Sequence, residues 1–239
     1  MARILFITGT DTGVGKTFVT ALLTRHLRGL NRAVAALKPI CSGGRDDARQ
    51  LRAAQDGTLS LEEVNPWHFR AALAPVLAAR VERRQVTKFQ VVRHIQQLAR
   101  RFELVLIEGA GGLLSPLGES FDSRDLMDAL GATAIVVAPN RLGAVNQVRL
   151  VLAALPPGTA RIAEVVLVNP PRAGDVIASN PRLLSEFFPA RQIHLLPWIS
   201  SARKTNRRAA DATNVIHRLA TKVCNVPGRA TKSAQPSDA

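Results

Sequence analysis

Short, nearly continuous apolar runs alternate along the chain with longer segments of helical period. Continuous runs are typical of strands that are buried on both faces of a parallel sheet. They lie at Ile4–Thr8, Ala33–Leu37, Leu104–Ile107, Ala134–Ala138, Val165–Val168 and His194–Leu196. Helical patterns cover Thr17–Leu30, Asp46–Gln55, Ala74–Arg84, Phe89–Arg101, Ser123–Leu130, Ala144–Leu155, Pro181–Phe187 and Ala209–Val223. This alternation predicts an α/β fold with a single doubly wound, mostly parallel sheet and helices on both faces.

The length and the cysteine content narrow the class of protein. At 239 residues the chain suits one large domain, which we place at residues 1–225. The tail at 226–239 is basic and low in apolar residues, so we predict that it is disordered. No apolar run approaches the ~20 residues that span a bilayer, and the N-terminus lacks a signal-peptide pattern. Cys41 and Cys224 give neither a disulfide framework nor a zinc spacing, so we expect a cytoplasmic protein without a membrane partner.

The charge is strongly positive, with 32 Lys and Arg against 18 Asp and Glu, a net +14. Such a balance permits nucleic-acid binding. No aromatic residues interleave with the basic ones, however, so the chain offers no stacking platform for single strands. We interpret the charge as a solvated basic surface and expect no nucleic-acid partner. A positive field also suits an anionic nucleotide substrate.

The segment Gly9–Thr17 reads Gly-Thr-Asp-Thr-Gly-Val-Gly-Lys-Thr and stands between the first strand and the first helix. This order is that of a P-loop, in which backbone N–H groups and the helix N-terminus bind phosphate. The spacing departs from the common form by one residue, because Thr10 stands where the first glycine belongs. We predict ATP-phosphate contacts from Gly13, Val14, Gly15, Lys16, Thr17 and Phe18.

The second predicted strand runs into Lys38-Pro39-Ile40-Cys41-Ser42-Gly43-Gly44. Ligands of such sheets bind at the carboxyl ends of the strands. Lys38 would therefore be a second cation near the transferred phosphate, a catalytic role that it shares with Lys16, unless it is a solvated strand-end lysine. Ser42 could hydrogen-bond a substrate. Cys41 lacks a basic partner beyond Lys38, which favours a packing role.

Acidic residues follow at two places where a Mg²⁺ ligand belongs. Asp46 and Asp47 head a helix, where one could cap the helix and the other could bind a metal. Glu108 closes the third strand opposite the P-loop. The glycine-rich stretch Gly109, Ala110 and Gly111 permits close approach of ATP. Together with the Thr17 hydroxyl, the carboxylates of Asp47 and Glu108 make a hard oxygen set that suits Mg²⁺.

The sequence alone leaves the roles of two further groups of polar residues undecided. Asn169 ends the fifth strand, where its amide could complement an adenine edge or simply serve the turn before Pro170. The five histidines sit singly along the sequence, without metal spacing or an acidic partner nearby. We interpret the histidines as surface or core residues.

Three motifs in order resemble the dethiobiotin synthetase family: residues 9–17, Lys-Pro-Ile-Cys-Ser-Gly at 38–43 and Glu-Gly-Ala-Gly-Gly-Leu-Leu-Ser-Pro-Leu at 108–117. The extra residue in the P-loop is the form found in that family. The resemblance extends from residue 1 to about 200. It implies a P-loop NTPase-like fold and the cytoplasmic, Mg²⁺-dependent closure of a cyclic urea from 7,8-diaminopelargonic acid, CO₂ or bicarbonate, and ATP.

The resemblance also implies roles for individual residues. Thr12 and Ser42 contact the substrate, while Asn169, Pro197, Trp198 and Ile199 lie along adenine. Asp47, rather than Asp46, is the metal ligand. Family members are homodimers in which the substrate carboxylate reaches the neighbouring subunit, and the stretch from Gly143 to Asn146 matches that contact.

Two other classes of protein remain alternatives. Cobyrinic-acid-type synthetases share the P-loop branch but carry a glutamine-hydrolysing domain, for which Cys224 lacks a following His and Glu. Partitioning-type ATPase switches bind DNA or membranes through basic surfaces. They need a second lysine early in the loop, and Thr10, Asp11 and Thr12 fill that place.

Overall fold

The structure is a computed structural model that describes residues 2–172, 174–199 and 207–225. The tail that we predict at 226–239 lies outside these residues. The strands are β1 (Arg3–Gly9), β2 (Val34–Leu37), β3 (Ile40–Ser42), β4 (Trp67–Phe69), β5 (Leu104–Glu108), β6 (Pro116–Gly118), β7 (Phe121–Asp122), β8 (Thr133–Pro139), β9 (Glu164–Val168) and β10 (Ile193–Leu196). The helices are α1 (Lys16–Gly29), α2 (Asp46–Ala54), α3 (Leu61–Val64), α4 (Pro75–Val81), α5 (Lys88–Ala99), α6 (Ser123–Ala129), α7 (Ala144–Ala154), α8 (Pro157–Ala160), α9 (Asp175–Ser185) and α10 (Arg207–Asn225), with a 3₁₀ turn at Ala190–Gln192.

A six-stranded parallel sheet forms the centre, in the order β10-β9-β8-β1-β5-β2. The chain leaves β1 toward β2 and β5 on one side and later fills the other side with β8, β9 and β10. Because crossovers between parallel strands are right-handed, this reversal places helices on opposite faces. The predicted doubly wound α/β fold is therefore confirmed.

All six predicted strands belong to this sheet. Its central strand carries Leu5, Phe6 and Ile7 with no exposed surface, as continuous apolar runs require. The register pairs Ile7 with Glu108 across β1 and β5. The carboxyl end of β1 and the acidic end of β5 therefore lie side by side, at the edge where ligands of such sheets bind.

Two helix boundaries differ from the prediction by three residues or more. We expected a helix at Pro181–Phe187, but α9 begins at Asp175 and contains Pro181. Proline has no N–H for the carbonyl of Ile177, and the Asn140 amide donates to that carbonyl instead, at 3.1 Å. This substitute bond removes the usual reason for the helix to begin at the proline. The helix predicted to reach Arg84 ends at Val81, because Arg83 adopts φ +53°.

The shortest strands and helices were not predicted from the sequence. The strands β3 and β4 form a parallel pair, and β6 and β7 form a small hairpin. Two- and three-residue strands are too short to show a period, as are the one-turn helices α3 and α8. The pair β3–β4 matters for the site, because it continues the chain from Lys38 past the edge of the main sheet.

Candidate active site

The P-loop connects β1 to α1, and its glycines adopt backbone conformations that other residues rarely accept. Gly13 has φ +73°, and Gly15, directly before α1, has φ +100°. Lys16 folds back over the loop, and its Nζ donates to the carbonyl of Asp11 at 2.7 Å. The predicted phosphate loop therefore has the conformation in which the lysine and the helix start surround one cradle.

Lys38 lies between two carboxylates at the centre of the site. Its Nζ is 2.6 Å from Asp47 Oδ2 and 2.6 Å from Glu108 Oε1. The Thr17 hydroxyl donates to the same Glu108 oxygen at 2.8 Å. The strand ends of β2 and β5 and the starts of α1 and α2 thus bring together four residues that the sequence singled out separately.

Burial and these contacts change the proton affinities in the cluster. Burial alone would lower the pKa of Lys38, but the Glu108 and Asp47 carboxylates outweigh it and raise that pKa. Burial also acts against ionised Asp47, yet Lys38 holds its pKa below the usual range. For Glu108 burial dominates and raises the pKa, with Lys38 acting against the rise. Lys38 therefore remains a fixed cation at neutral pH.

The pKa of Lys16 shifts in the opposite direction from that of Lys38. Burial, followed by the positive charge of Lys38, lowers its pKa from 10.5 to about 8. Its side chain pairs with a backbone carbonyl rather than with a carboxylate. A desolvated cation without an anionic partner has a strong electrostatic preference for an anion, which a phosphate would satisfy.

The oxygen atoms around Lys38 fit a magnesium ion. The second carboxylate oxygen of Glu108 is buried and has no hydrogen-bond partner among the described residues. Buried acceptors of this kind need a partner. Mg²⁺ is commonly held by one or two carboxylates plus substrate phosphates and waters. Thr17, Asp47 and Glu108 would supply such a set.

A cavity of about 750 Å³ opens over this cluster. Its walls include most of the residues predicted to bind nucleotide, substrate or metal: Thr12, Gly13, Gly15, Lys16, Thr17, Phe18, Lys38, Ser42, Asp47, Glu108, Ala110 and Gly111. Two predicted ATP contacts lie behind the cavity instead. Val14 is 6% exposed in the core, and the Gly109 N–H donates to the carbonyl of Ile7 at 3.0 Å.

The Ser42 hydroxyl can act toward a substrate as a hydrogen-bond acceptor. Its Oγ donates to the carbonyl of Leu73 at 2.5 Å. With its proton engaged there, the oxygen retains lone pairs that could accept from an N–H group. The apolar stretch that contains Leu73 forms a further wall of the cavity, at Ala72–Pro75.

The residues predicted to lie along adenine form a separate group, directly after the ends of β9 and β10. Asn169 N donates to the carbonyl of Leu196 at 2.9 Å, which places Asn169 next to Pro197–Ile199. The amide oxygen of Asn169 accepts from Asn140 at 2.9 Å. Of the described residues that line the 750 Å³ cavity, none comes from this group, so its contact with adenine stays a prediction.

Asn146, predicted to serve the neighbouring subunit, lies away from the cavity. It lines a shallow groove of about 610 Å³ on α7. Beside it the Arg149 guanidinium stacks 3.8 Å from the ring centre of the half-exposed Phe187. The structure thus separates Asn146 from the other predicted substrate contacts within one chain.

Two polar lining residues were missed by the sequence reasoning, as was the apolar wall at Ala72–Pro75. Gln50 lies one helical turn after Asp47 on α2, a spacing that could have indicated it. Ser115 stands within the motif at 108–117, and its Oγ accepts from the Gly112 N–H at 2.8 Å. That hydrogen bond closes the glycine-rich turn on the wall of the cavity.

The fold and the site define an enzyme of the P-loop nucleotide-binding class. A family model described as an AAA domain matches residues 3–206. Over 201 residues the chain is 41% identical to an ATP-dependent dethiobiotin synthetase of Anaeromyxobacter sp. (strain K), an alignment that covers 82% of this chain and 90% of the relative. A second synthetase of that name, from Anaeromyxobacter sp. (strain Fw109-5), is 48% identical over 157 residues, 64% of this chain and 70% of the relative.

The chain therefore belongs to the dethiobiotin synthetase family of ATP-dependent enzymes. Among solved structures, the septum site-determining protein MinD complexed with Mg-ADP from Pyrococcus horikoshii superposes with a TM-score of 0.59 at 17% identity. The match covers 94% of this chain and 97% of that one. At this identity the likeness concerns the fold alone. In the described part of the chain, no helix is long and apolar enough to cross a membrane.

Proposed function

We propose that this protein catalyses the ATP-dependent closure of a cyclic urea on 7,8-diaminopelargonic acid, giving dethiobiotin. The observation that carries the proposal is the placement of Lys38 between Asp47 and Glu108, next to a P-loop and in the wall of a cavity of about 750 Å³. The two Anaeromyxobacter relatives are dethiobiotin synthetases by name, which supports the same substrate. The domain at 1–225 would carry the whole reaction.

The proposed reaction has three steps. One amine of the diamine adds to CO₂ and loses a proton, giving a carbamate. A carbamate oxygen attacks the γ-phosphorus of ATP, so that ADP leaves and a carbamic–phosphoric anhydride forms. The second amine attacks the carbonyl carbon, and phosphate leaves as the ring closes.

Phosphoryl transfer of this kind depends on positioning and on neutralising charge. The N–H groups of the loop and Lys16 would hold the ATP phosphates, with the phosphates replacing the Asp11 carbonyl at Lys16. Lys38 would neutralise charge on the transferred group. Thr17, Asp47 and Glu108 would hold Mg²⁺, which supplies further neutralisation of the phosphate oxygens when bound.

Substrate contacts follow from the cavity walls. The free lone pairs of Ser42 suit an amine donor, and Ala72–Pro75 offers an apolar surface to a methylene chain. The proposed reaction needs no protein nucleophile. Burial raises the pKa of the Cys41 thiol, which keeps it protonated and supports a packing role.

We also propose a homodimer that completes the site. The supporting feature is the exposed apolar surface beside Asn146, where Leu142 is 86% and Leu150 63% exposed. Asn146 would then contact the substrate bound to the other subunit. Light scattering coupled to gel filtration tests this, with a monomeric mass arguing against it.

The function is tested by substrate dependence. Purified protein with Mg²⁺ and ATP should release ADP only when the diamine and bicarbonate are both present. Equal turnover without the diamine, or turnover stimulated by DNA, would contradict the proposal and favour the partitioning-type alternative. Glutamine-dependent amidation would favour the cobyrinic-acid-type alternative.

A further inference from the structure

Asn65 follows α3 and has a side chain that is buried almost completely, at 1% exposure. Buried amides need partners for both donors and acceptors. Its Nδ2 donates to the carbonyl of Lys38 at 2.7 Å and, at the longer distance of 3.4 Å, to that of Pro39. Its Oδ1 accepts from Cys41 Sγ at 3.2 Å and from Arg45 Nε at 3.1 Å. The amide is thus fully engaged within the chain and acts on its neighbours.

The first set of bonds holds the backbone of Lys38. This residue follows β2, beyond the ladder of the main sheet. Its N–H donates to the carbonyl of Val64 at 3.0 Å, and the Trp67 N–H donates to the carbonyl of Pro39 at 3.1 Å. The Lys38 carbonyl lies between these two bonded groups along the chain, and it accepts from the Asn65 amide. The segment 64–67 therefore fixes the peptide groups on both sides of the Lys38 side chain.

The second set of bonds holds the start of α2. Arg45 donates two hydrogen bonds to Asn65. Its Nε donates to the side-chain oxygen, and its Nη2 donates to the backbone carbonyl at 2.9 Å. Arg45 directly precedes α2, and Asp47 comes two residues later. In the described part of the chain, α2 has no side-chain cap at its N-terminus. The usual device that fixes a helix start is replaced here by the contact between Arg45 and Asn65.

We propose that Asn65 is a positioning residue that joins the backbone of Lys38 to the start of α2 and so brings Lys38 and Asp47 together. It touches neither of the two charged groups directly. The 2.6 Å contact between Lys38 Nζ and Asp47 Oδ2 depends on the separation of two backbone segments, and Asn65 with Arg45 sets that separation. The functional consequence rests on the function proposed above.

Two variants separate the two sets of bonds. Asn65→Asp keeps the shape and the acceptors for Arg45 but cannot donate to the Lys38 carbonyl. Arg45→Lys keeps a positive charge near Glu62 but cannot donate both hydrogen bonds to Asn65, because lysine lacks the forked guanidinium. We expect kcat to fall by up to about 10²-fold in each, the scale of a misplaced reacting group. The half-saturating Mg²⁺ concentration should rise in Arg45→Lys because Asp47 is then less well placed.

The KM for ATP should stay within about threefold of wild type in both variants, since none of these bonds involves the P-loop. Ser60→Ala is the matched control. Ser60 caps α3 by accepting from the Glu63 N–H at 3.1 Å, and it contacts neither Lys38 nor Arg45. Its loss should lower the melting temperature by about 2–4 °C. It should leave kcat unchanged well below that temperature.

Wild-type kcat in Asn65→Asp and Arg45→Lys would overturn the proposal. So would an equal loss of kcat in Ser60→Ala, because the effect would then reflect general stability. If wild-type protein shows no diamine-dependent turnover, the proposed function fails instead. Crystal structures of the two variants decide the positioning role in that case. A Lys38–Asp47 separation beyond ~4 Å supports it, and an unchanged 2.6 Å contact refutes it.

Discussion

Replacing Lys16 by methionine should make the protein more stable while it abolishes turnover. Lys16 is 5% exposed, and its ammonium group pairs only with a backbone carbonyl among the described residues. Burial and the nearby charge of Lys38 lower its pKa from 10.5 to about 8. The folded protein without nucleotide therefore holds a cation that would be better solvated in the unfolded chain.

The size of this effect follows from proton linkage. Each tenfold change in proton affinity corresponds to about 1.4 kcal/mol, so the lowered pKa costs the folded state about 3 kcal/mol at neutral pH. Loss of the bond to the Asp11 carbonyl offsets about 1 kcal/mol of that gain. We therefore expect Lys16→Met to raise the free energy of unfolding by about 2 kcal/mol at pH 7. Since the unfolded chain binds the extra proton between about pH 8 and 10.5, wild-type stability recovers as the pH rises through that window.

The assay is urea unfolding of both proteins without nucleotide at several pH values from 7 to about 10.5. The stability advantage of Lys16→Met should shrink across this range. Lys88→Met, at an exposed position on α5, is the control and should stay within about 0.5 kcal/mol of wild type. A Lys16→Met protein that is less stable at pH 7, or whose advantage does not vary with pH, would refute the picture of a desolvated phosphate-binding lysine.

The remaining predictions concern the carboxylate and the glycine turn. Glu108→Gln should lower turnover by about 10²-fold or more and raise the half-saturating Mg²⁺ concentration, because a buried anion beside Lys38 is lost; unchanged Mg²⁺ dependence in a titration would remove Glu108 from the metal shell. Gly111→Ala should lower both the melting temperature and turnover, since φ is +68° and a Cβ would collide with Ser115 Oγ. Gly29→Ala is its control, because no described atom within 4 Å would meet a Cβ there, and a similar loss in that variant would contradict the reasoning.

The sheet could be predicted from the sequence because its strands are buried on both faces. Continuous apolar runs such as the one around Phe6 are too short for buried helices, and the glycine-rich loop that follows this run supports a strand. The rule that ligands bind at carboxyl strand ends then selected Lys38 and Glu108. The start of α9 could not be predicted, because it depends on a hydrogen bond from Asn140, which is distant in sequence from Pro181.

The charged residues that meet around Lys38 could be predicted from the sequence, but their contacts could not. The sequence placed Lys38 near a phosphate, whereas the structure also places its Nζ between two carboxylates at 2.6 Å. Such distances depend on how β2, β5 and α2 meet, which no local pattern encodes. The same holds for Asn65, whose role follows only from its partners in space. Ser42 likewise donates to Leu73, in a loop that carries no motif.

The central claim is that the ureido carbon comes from CO₂, which bicarbonate supplies in solution, and joins both amines of the substrate. Mass spectrometry of a reaction with the diamine, ATP, Mg²⁺ and ¹³C-labelled bicarbonate tests this most directly. The account predicts a cyclic product that is one mass unit heavier than the product from unlabelled bicarbonate, formed in equal amount with ADP. ADP release without a labelled cyclic product would contradict the account.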